Sequence, residues 1–537
     1  MLRPHDTVWE RDREGVWQKY CGFLDISLDA FTGIQEHLLA EQIRLVDQSP
    51  LGRRFLPASL PGSAKEFRET VRLTTYEDYQ DVLDARREEF LAVKPYAWVH
   101  TSGRGGTFRW VPYTAMAYER FVDAGAASLI LAAAEAKGEV NLARGTRLLC
   151  NIPRMPYLSG LLGLGLEDRL GVRLIPPLDE LPDSDFHKKT EVAFKMALRE
   201  GAPIIAALGS VLVKMGEGMA RHTRQAHFTR DMLHPAVLWR LGRAYARALL
   251  AGRRILPKDL WPARAIIAWG MDTDVFREDI RRYWGRLPYE AYSATEGGIL
   301  AIQSWTRRGL TLLPYAAYYE FIPEQEWLKA RGDTSYQPRT VLAPDLEPGK
   351  RYELVITNFY GMPFLRYRLG HFIQVLSRED DAAGIHLPQV AFHARADDLI
   401  DIANFTRIDE GTVHRALRLA GVHYEDWTLR KETTDGKTSL HLYIEPQGDL
   451  AREGLESVLH EKLKECDPFY NDLDRMLQIR PLRVTCLAPG TFALYYEEKM
   501  RAGVDLANRR PPRMNPLDSE IRDLLQANGH EVKVEVS

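Results

Sequence analysis

The chain has few cysteines, no long apolar run and almost no net charge, and each shortage removes a class of protein. Cys21, Cys150, Cys466 and Cys486 are scattered, and none forms a C-x-x-C pair. Neither a zinc knuckle nor a redox dithiol is indicated, and reduced thiols in a cytosolic protein fit best. No apolar stretch reaches the roughly 20 residues that a membrane span needs; Ala126 to Ala134 falls well short and ends at Glu135. The opening residues, Met1-Leu2-Arg3-Pro4-His5-Asp6, carry no apolar signal core. Seventy-one basic side chains against 74 acidic ones leave a formal charge of -3, which makes no electrostatic case for nucleic acid or anionic lipid. Internal repeats, low-complexity tracts, a G-x-S-x-G elbow and an H-E-x-x-H pair are also missing. The expected partner is a small molecule, and the expected compartment is the cytoplasm.

Core material is ample. The 537 residues are 45% hydrophobic and 27% charged, which describes an ordinary globular chain of two to four units at about 150 residues each. Helical spacing runs from the start to about Pro61. Val71 to Tyr79 reads as an extended segment followed by a cap at Thr75 and a helix. An alanine-rich helix is expected over Tyr113 to Ala136. Apolar strands at 147–152, 172–175, 204–208 and 265–269 then alternate with helices such as His187 to Arg199 and Pro235 to Leu250, which argues for a largely parallel sheet. Gly163-Leu164-Gly165 has the wrong spacing for a dinucleotide turn and looks helical. From Leu312 to Val375 strands dominate. After Arg395-Ala396-Asp397-Asp398 a mixed unit follows, with a strand at Leu440 to Ile444 and a helix carrying Leu455, Val458, Leu459 and Leu463 on one face.

The stretch His100-Thr101-Ser102-Gly103-Arg104-Gly105-Gly106-Thr107-Phe108-Arg109 follows one short apolar run and precedes another, so it reads as strand, glycine-dense turn, strand. Such a turn can aim successive N–H groups at one anion, with the Ser102 and Thr107 hydroxyls and the Arg109 charge assisting. Downstream, Thr295 sets a hydroxyl beside the Glu296 carboxylate, a pairing that suits a phosphate oxygen and the Mg²⁺ bound to it. Two basic clusters follow, Arg366-Tyr367-Arg368-Leu369-Gly370-His371 and Asn508-Arg509-Arg510-Pro511-Pro512-Arg513; taken singly, each reads as a solvated patch.

In this order the motifs resemble the adenylate-forming superfamily. Thr101 to Trp110 is similar to its phosphate turn, and Tyr292-Ser293-Ala294-Thr295-Glu296 to its Tyr-Gly-Ala-Thr-Glu segment. Leu312 to Pro323 and Gly349 to Asn358, leading into Arg366 to Gly370, resemble the auxin-responsive acyl-acid amido synthetases and their bacterial relatives. The resemblance implies an α/β fold: a large N-terminal domain of layered sheets and helices over 1–394, with a β-rich subdomain at about 310–392, and a small α+β C-terminal lid domain over 395–537, hinged near Asp397. It implies a ligase that activates a small-molecule carboxylic acid with ATP and Mg²⁺ and passes the acyl group to an amine or thiol. ATP would be held by Thr101, Ser102, Gly103, Arg104, Gly105, Gly106, Thr107 and Arg109, by Tyr292, Ser293, Ala294, Thr295 and Glu296, and by His371 and Arg395. Glu296 would hold the metal, and Arg510, Thr295 and His371 would take catalytic roles.

Five positions, in three places, depart from the superfamily pattern. His371 stands where an aspartate is expected to clamp the ribose, and losing a charged hydrogen bond costs on the order of 1.5–3 kcal/mol, or roughly ten- to a hundredfold in ATP affinity. Arg510 stands where a lid lysine is expected, and a planar guanidinium does not substitute freely for a point-charge ammonium; Lys499 is nearby but out of register. Arg104 and Gly105 replace two hydroxyl residues of the phosphate turn, and Arg109 replaces its lysine. Besides a ligase with an atypical site, the sequence therefore admits an acyl transferase working from a preformed donor, and a non-catalytic ligand-binding relative. Tyr157, Leu158, Leu208 and Trp269 are candidates for lining an acyl pocket.

Overall fold

The computed structural model describes residues 12–101, 108–178, 186–222, 234–269, 273–333, 335–402, 406–434, 437–447, 454–468, 470–471, 482–504 and 509–529. The architecture is α/β. The described residues form two compact units, a large one ending at His393 and a small one beginning at Ala394.

In the large unit, Ser27 caps the helix Leu28–Val46 by accepting a bond from the Ala30 amide at 3.2 Å. Among the apolar residues on its inner face lie two buried glutamines, whose amides must find partners. Gln35 donates to the carbonyls of Pro314 and Ala317 (2.5 and 2.6 Å) and accepts from the Tyr319 amide (2.9 Å). Gln42 donates to the Met362 carbonyl (2.7 Å) and accepts from the Gly361 amide (2.8 Å). An N-terminal helix is thereby fastened to main chain about 280 to 320 residues further on. At Thr75 the expected cap is present, its amide donating to Asp78 Oδ2 at 2.8 Å. Only the short turns Tyr76–Asp78 and Gln80–Leu83 follow, because the ring of Tyr79 swings into the core against Phe55 and Phe364.

Strands β1 (Ala97–His100) and β2 (Trp110–Tyr113) form an antiparallel hairpin in which His100 faces Trp110. The helix that follows is Ala115–Ala133, shorter than expected at both ends; Tyr113 belongs to β2, and Thr114 caps the helix. It crosses the helix Leu158–Leu170 so closely that a Cβ on Gly165 would lie 2.3 Å from Val122, and one on Gly125 would lie 2.5 Å from Leu162. The Gly163-Leu164-Gly165 stretch thus serves a helix contact. Strands β3 (Arg147–Cys150), β4 (Arg173–Ile175), β5 (Ile204–Leu208) and β6 (Ala265–Trp269) make a parallel sheet in the order β4-β3-β5-β6. The helices Phe186–Glu200 and Pro235–Leu250 lie between its strands in sequence, as expected.

A second sheet follows, from β7 (Ala291–Ala294), β8 (Gly298–Gln303), β9 (Leu310–Leu312), β10 (Ala317–Pro323), β11 (Arg351–Asn358), β12 (Tyr367–Ser377) and β13 (Gln389–Arg395), in the order β10-β11-β12-β13-β9-β8-β7. It begins at Ala291, ahead of the β-rich boundary expected near 310, because β7 and β8 pair into it through β9.

The small unit holds the pair β14 (Ile400–Ile402) and β15 (Thr406–Ile408) and a three-stranded sheet of β16 (Tyr424–Thr434), β17 (Lys437–Pro446) and β18 (Leu482–Cys486). Alternation along β17 sends Leu440, Leu442 and Ile444 into a core shared with the helices Glu410–Leu419 and Leu455–Cys466. Tyr443 faces the helices Thr491–Arg501 and Asp518–Ala527 on the other side. Leu455, Leu459 and Leu463 are buried, but Val458, expected with them, is exposed; one residue before Leu459, it falls off the inward stripe.

Two outcomes follow. Gln35→Leu strands two carbonyls and an amide in the core, so the urea midpoint of the large unit should fall by the equivalent of about 3 kcal/mol. In the small unit, burial opposes ionisation of Glu432, yet bonds from His441, Arg430 and Tyr443 outweigh it and hold its pKa at about 2. Since that lies below the unfolded value of about 4.3, the stabilisation is complete above the unfolded value and lost as pH falls towards 2. Near-UV circular dichroism across an acid titration should show this loss, and Glu432→Gln should remove that portion of it.

Candidate active site

The turn between β7 and β8 is the centre of the arrangement. Tyr292, Ser293 and Ala294 belong to β7, and Thr295 and Glu296 make the turn that Gly297 closes, its amide donating to the Ala294 carbonyl at 3.1 Å. Gly298 has φ +72°, and a Cβ there would meet the Phe121 ring at 3.0 Å, so the turn requires glycine. Three side chains grip it. The Tyr113 hydroxyl donates to the Thr295 carbonyl (2.9 Å), Asn358 Nδ2 donates to the Glu296 carbonyl (2.9 Å), and the Tyr367 hydroxyl lies 3.4 Å from Glu296 Oε1. Burial and then the Glu296 charge push both phenols well above the ordinary tyrosine value, so both stay protonated as donors.

Arg109 immediately precedes β2. Its guanidinium lies over the Tyr76 ring at 5.2 Å and 3.9 Å from the Glu77 carboxylate. The hairpin base is closed by Thr101, whose amide donates to the Arg109 carbonyl at 3.0 Å and whose hydroxyl accepts from the Arg109 amide at 3.3 Å. Ser102, Gly103, Arg104, Gly105, Gly106 and Thr107 lie outside the described residues.

His371, on β12, stands with Nδ1 2.7 Å from the Tyr292 hydroxyl. One ring nitrogen is therefore committed to the protein. The Tyr292 and Phe392 rings stack at 5.5 Å, and His371 meets Phe392 edge-on at 5.5 Å, forming an aromatic group beside the turn. On the helix side, Tyr113, Phe121, Gly297, Ile299, Tyr360 and Met362 line a narrow cleft, partly open to solvent, with Arg120 in its wall.

The first basic cluster is not solvated. Arg366 is buried, bonded to both Glu320 oxygens (2.8 and 3.0 Å) and to the carbonyls of Arg68 and Val71. Arg368 makes a two-pronged pair with Glu353 on β11 at 3.0 and 2.6 Å. Both guanidiniums serve the sheet.

In the small unit, Arg395 is exposed at the end of β13. Arg510 is exposed, with Nη1 3.5 Å from Asp426. Its segment is fixed by neighbours: Leu429 donates its amide to the Arg513 carbonyl (2.7 Å) and accepts from the Asn515 amide (2.8 Å), while Arg513 bonds Glu410 at 3.0 Å. Lys499 pairs with Asp523 at 2.6 Å, joining two helices. Among the acyl-pocket candidates, Tyr157 packs on the His100 ring at 4.7 Å, and Leu208 and Trp269 sit in register, exposed, at the carboxyl ends of β5 and β6. Tyr113, Tyr367, Phe392, Asn358 and Arg120 were not singled out from sequence. Period-two spacing from His371 back to Tyr367 was the one available signal.

Residues 310–395 match the GH3 family central domain, and residues 410–516 match the GH3 family C-terminal domain. The chain carries GH3-family domains. It is 26% identical over 292 residues to the jasmonoyl-L-amino acid synthetase GH3.5 of Oryza sativa subsp. japonica, covering 50% of this chain and 49% of that protein. To the indole-3-acetic acid-amido synthetase GH3.4 of Arabidopsis thaliana it is 32% identical over 233 residues, 39% of this chain and 37% of the relative. The chain thus spans about half the length of the first of these relatives, and less of the second. Among solved structures, the AtGH3.15 acyl acid amido synthetase in complex with 2,4-DB superposes with a TM-score of 0.66 at 17% identity over 93% of both chains. The 2-hydroxyisobutyryl-CoA ligase in its postadenylation state gives 0.64 at 14% identity, over 98% of this chain and 96% of that one. At these identities the likeness establishes a shared fold.

Arg366→Met should lower the stability of the large unit by about 3–5 kcal/mol, since it leaves Glu320 charged and buried. Adding Glu320→Leu should recover most of that loss in the same urea unfolding experiment.

Proposed function

We propose that this GH3-domain chain is an ATP-dependent ligase that converts a carboxylic acid into its acyl adenylate and then passes the acyl group to an amine or thiol. The observation that carries the reading is the Tyr292 to Glu296 turn, gripped by Tyr113 and Tyr367, with His371 against it. The names of the relatives, amido synthetases and a CoA ligase, support it.

The roles follow from the chemistry. The stretch Ser102 to Thr107 is assigned to the triphosphate together with Thr101 and Arg109, and the Tyr292–Phe392 stack to a flat purine. Ser293 and Ala294 contribute main chain, and His371 offers a single bond to the ribose. The buried Glu296 carboxylate beside the Thr295 hydroxyl is an all-oxygen donor set that fits Mg²⁺. Among the described residues no three His, Cys, Asp or Glu side chains cluster as metal ligands, so most ligands would come from phosphate and water. Mg²⁺ bound there would neutralise phosphate charge. The cleft beside Gly297, apolar apart from Arg120 and the tyrosine hydroxyls, is assigned to the acyl portion.

The acid carboxylate attacks the α-phosphorus in line as the bond to pyrophosphate breaks; the amine or thiol then attacks the acyl carbonyl and AMP leaves. Positioning and charge neutralisation carry most of such a displacement. From the small unit, taken as the 395–537 lid domain, Arg510 is assigned to the carboxylate and α-phosphate charges, and Arg395 to the nucleotide. The four free thiols favour a cytoplasmic enzyme.

Pyrophosphate exchange across a panel of carboxylic acids tests the reading. Acid-dependent exchange is expected, about a hundredfold lower in Glu296→Gln. His371→Asp should lower the KM for ATP by roughly ten- to a hundredfold. Silence from folded protein sinks the ligase. Acyl transfer from a synthetic adenylate without ATP would leave only the second half-reaction, and calorimetry without ATP or AMP binding would leave a non-catalytic relative.

A further inference from the structure

The helix Pro235–Leu250 buries Val237, Ala244 and Ala248 against the large unit. On the adjoining arc, Leu238, Tyr245 and Leu249 follow one another at helical spacing, with Trp239 and Leu250 beside them, and all five are exposed, Trp239 to 74% and Leu250 to 90%. Single exposed apolar residues are ordinary, but five on one arc of one helix are a surface with a use.

Charge selects the partner. Between His234 and Leu256 the chain contains Arg240, Arg243, Arg247, Arg253 and Arg254, and no aspartate or glutamate. Arg240 is occupied by the Leu198 and Leu260 carbonyls, and Arg253 by Asp259. Arg243 and Arg247, one turn apart, flank the apolar arc on the side of Trp239. A second copy docked through this arc would bring arginine rows together with no acid on either helix. A layer of phosphate headgroups over hydrocarbon supplies both what the arc and what the arginines need.

We propose that this helix is a membrane-surface anchor, which seats Leu238, Trp239, Tyr245, Leu249 and Leu250 in the interface of an anionic bilayer with Arg243 and Arg247 on the headgroups. The near-neutral charge of the whole chain does not oppose this, because the arginines are concentrated locally. Among the described residues no helix is long and apolar enough to cross a membrane, and a helix lying in the interface has no need to be.

Flotation of the full chain with phosphatidylcholine vesicles containing about one-third phosphatidylglycerol tests the proposal. The wild-type protein should float with these vesicles and bind pure phosphatidylcholine at least about tenfold more weakly. The triple variant Trp239→Ser, Leu249→Ser, Leu250→Ser should bind the anionic vesicles about tenfold more weakly with unchanged thermal unfolding. The single variant Leu250→Asp, at the most exposed position, gives the same readout should the triple variant fold poorly. Wild-type protein that does not float with anionic vesicles, or folded variants that bind as wild type does, would overturn the proposal. So would sedimentation velocity showing a lipid-free dimer that Leu250→Asp dissociates, which would make a second copy the occupant.

Discussion

A guanidinium removed from water holds the large unit's chemistry in place. Arg366 has a left-handed backbone (φ 45°), which a side chain of its size rarely adopts, and its main chain is bound at both ends: its amide donates to the Thr357 hydroxyl at 2.8 Å, and its carbonyl accepts from the Thr74 amide at 3.0 Å. The side chain joins Glu320 on β10 to carbonyls of the N-terminal segment. The next residue, Tyr367, starts β12 and reaches Glu296, and four positions later His371 reaches Tyr292. An ion pair of this kind is weak as a source of net stability but strict in geometry. Its effect is to set where β12 begins, and therefore which side chains face the turn.

Much of the fold was legible because its periodicities are strong. The four apolar segments between 147 and 269 are short and β-branched or leucine-rich, and each came out as a strand of the parallel sheet. The paired strands β1 and β2, the helix Pro235–Leu250 and the helical reading of Gly163 to Gly165 were equally readable. Val458 and the early start of the second sheet were not, since adjacent apolar residues blur a helical stripe and the short strands β7 and β8 acquire their identity only from β9, their neighbour in space.

The site was half legible. Glycine, hydroxyl and charged residues advertise themselves, so Thr101, Arg109, Thr295 and Glu296 could be named by residue type, and His371 through the resemblance. The tyrosines that grip the turn look in sequence like any strand aromatic, and Tyr113 and Tyr367 become distinguishable only once their hydroxyls are seen facing the turn. The arginines at 366 and 368 misled in the opposite sense, because charge in a sequence suggests solvent and only the facing strands reveal Glu320 and Glu353. The substitution at 371 also reads differently in three dimensions. The imidazole is held by Tyr292 and Phe392 as part of a packed aromatic group, a contact that sequence position alone does not show.

The two glutamines of the N-terminal helix bind only amides and carbonyls. A fastening of that sort reads main chain at 314, 317, 319, 361 and 362 and leaves the side chains there to other duties: the Tyr319 ring stacks on Phe31 of the same helix at 6.4 Å, and Gly361 supplies a φ of +78°.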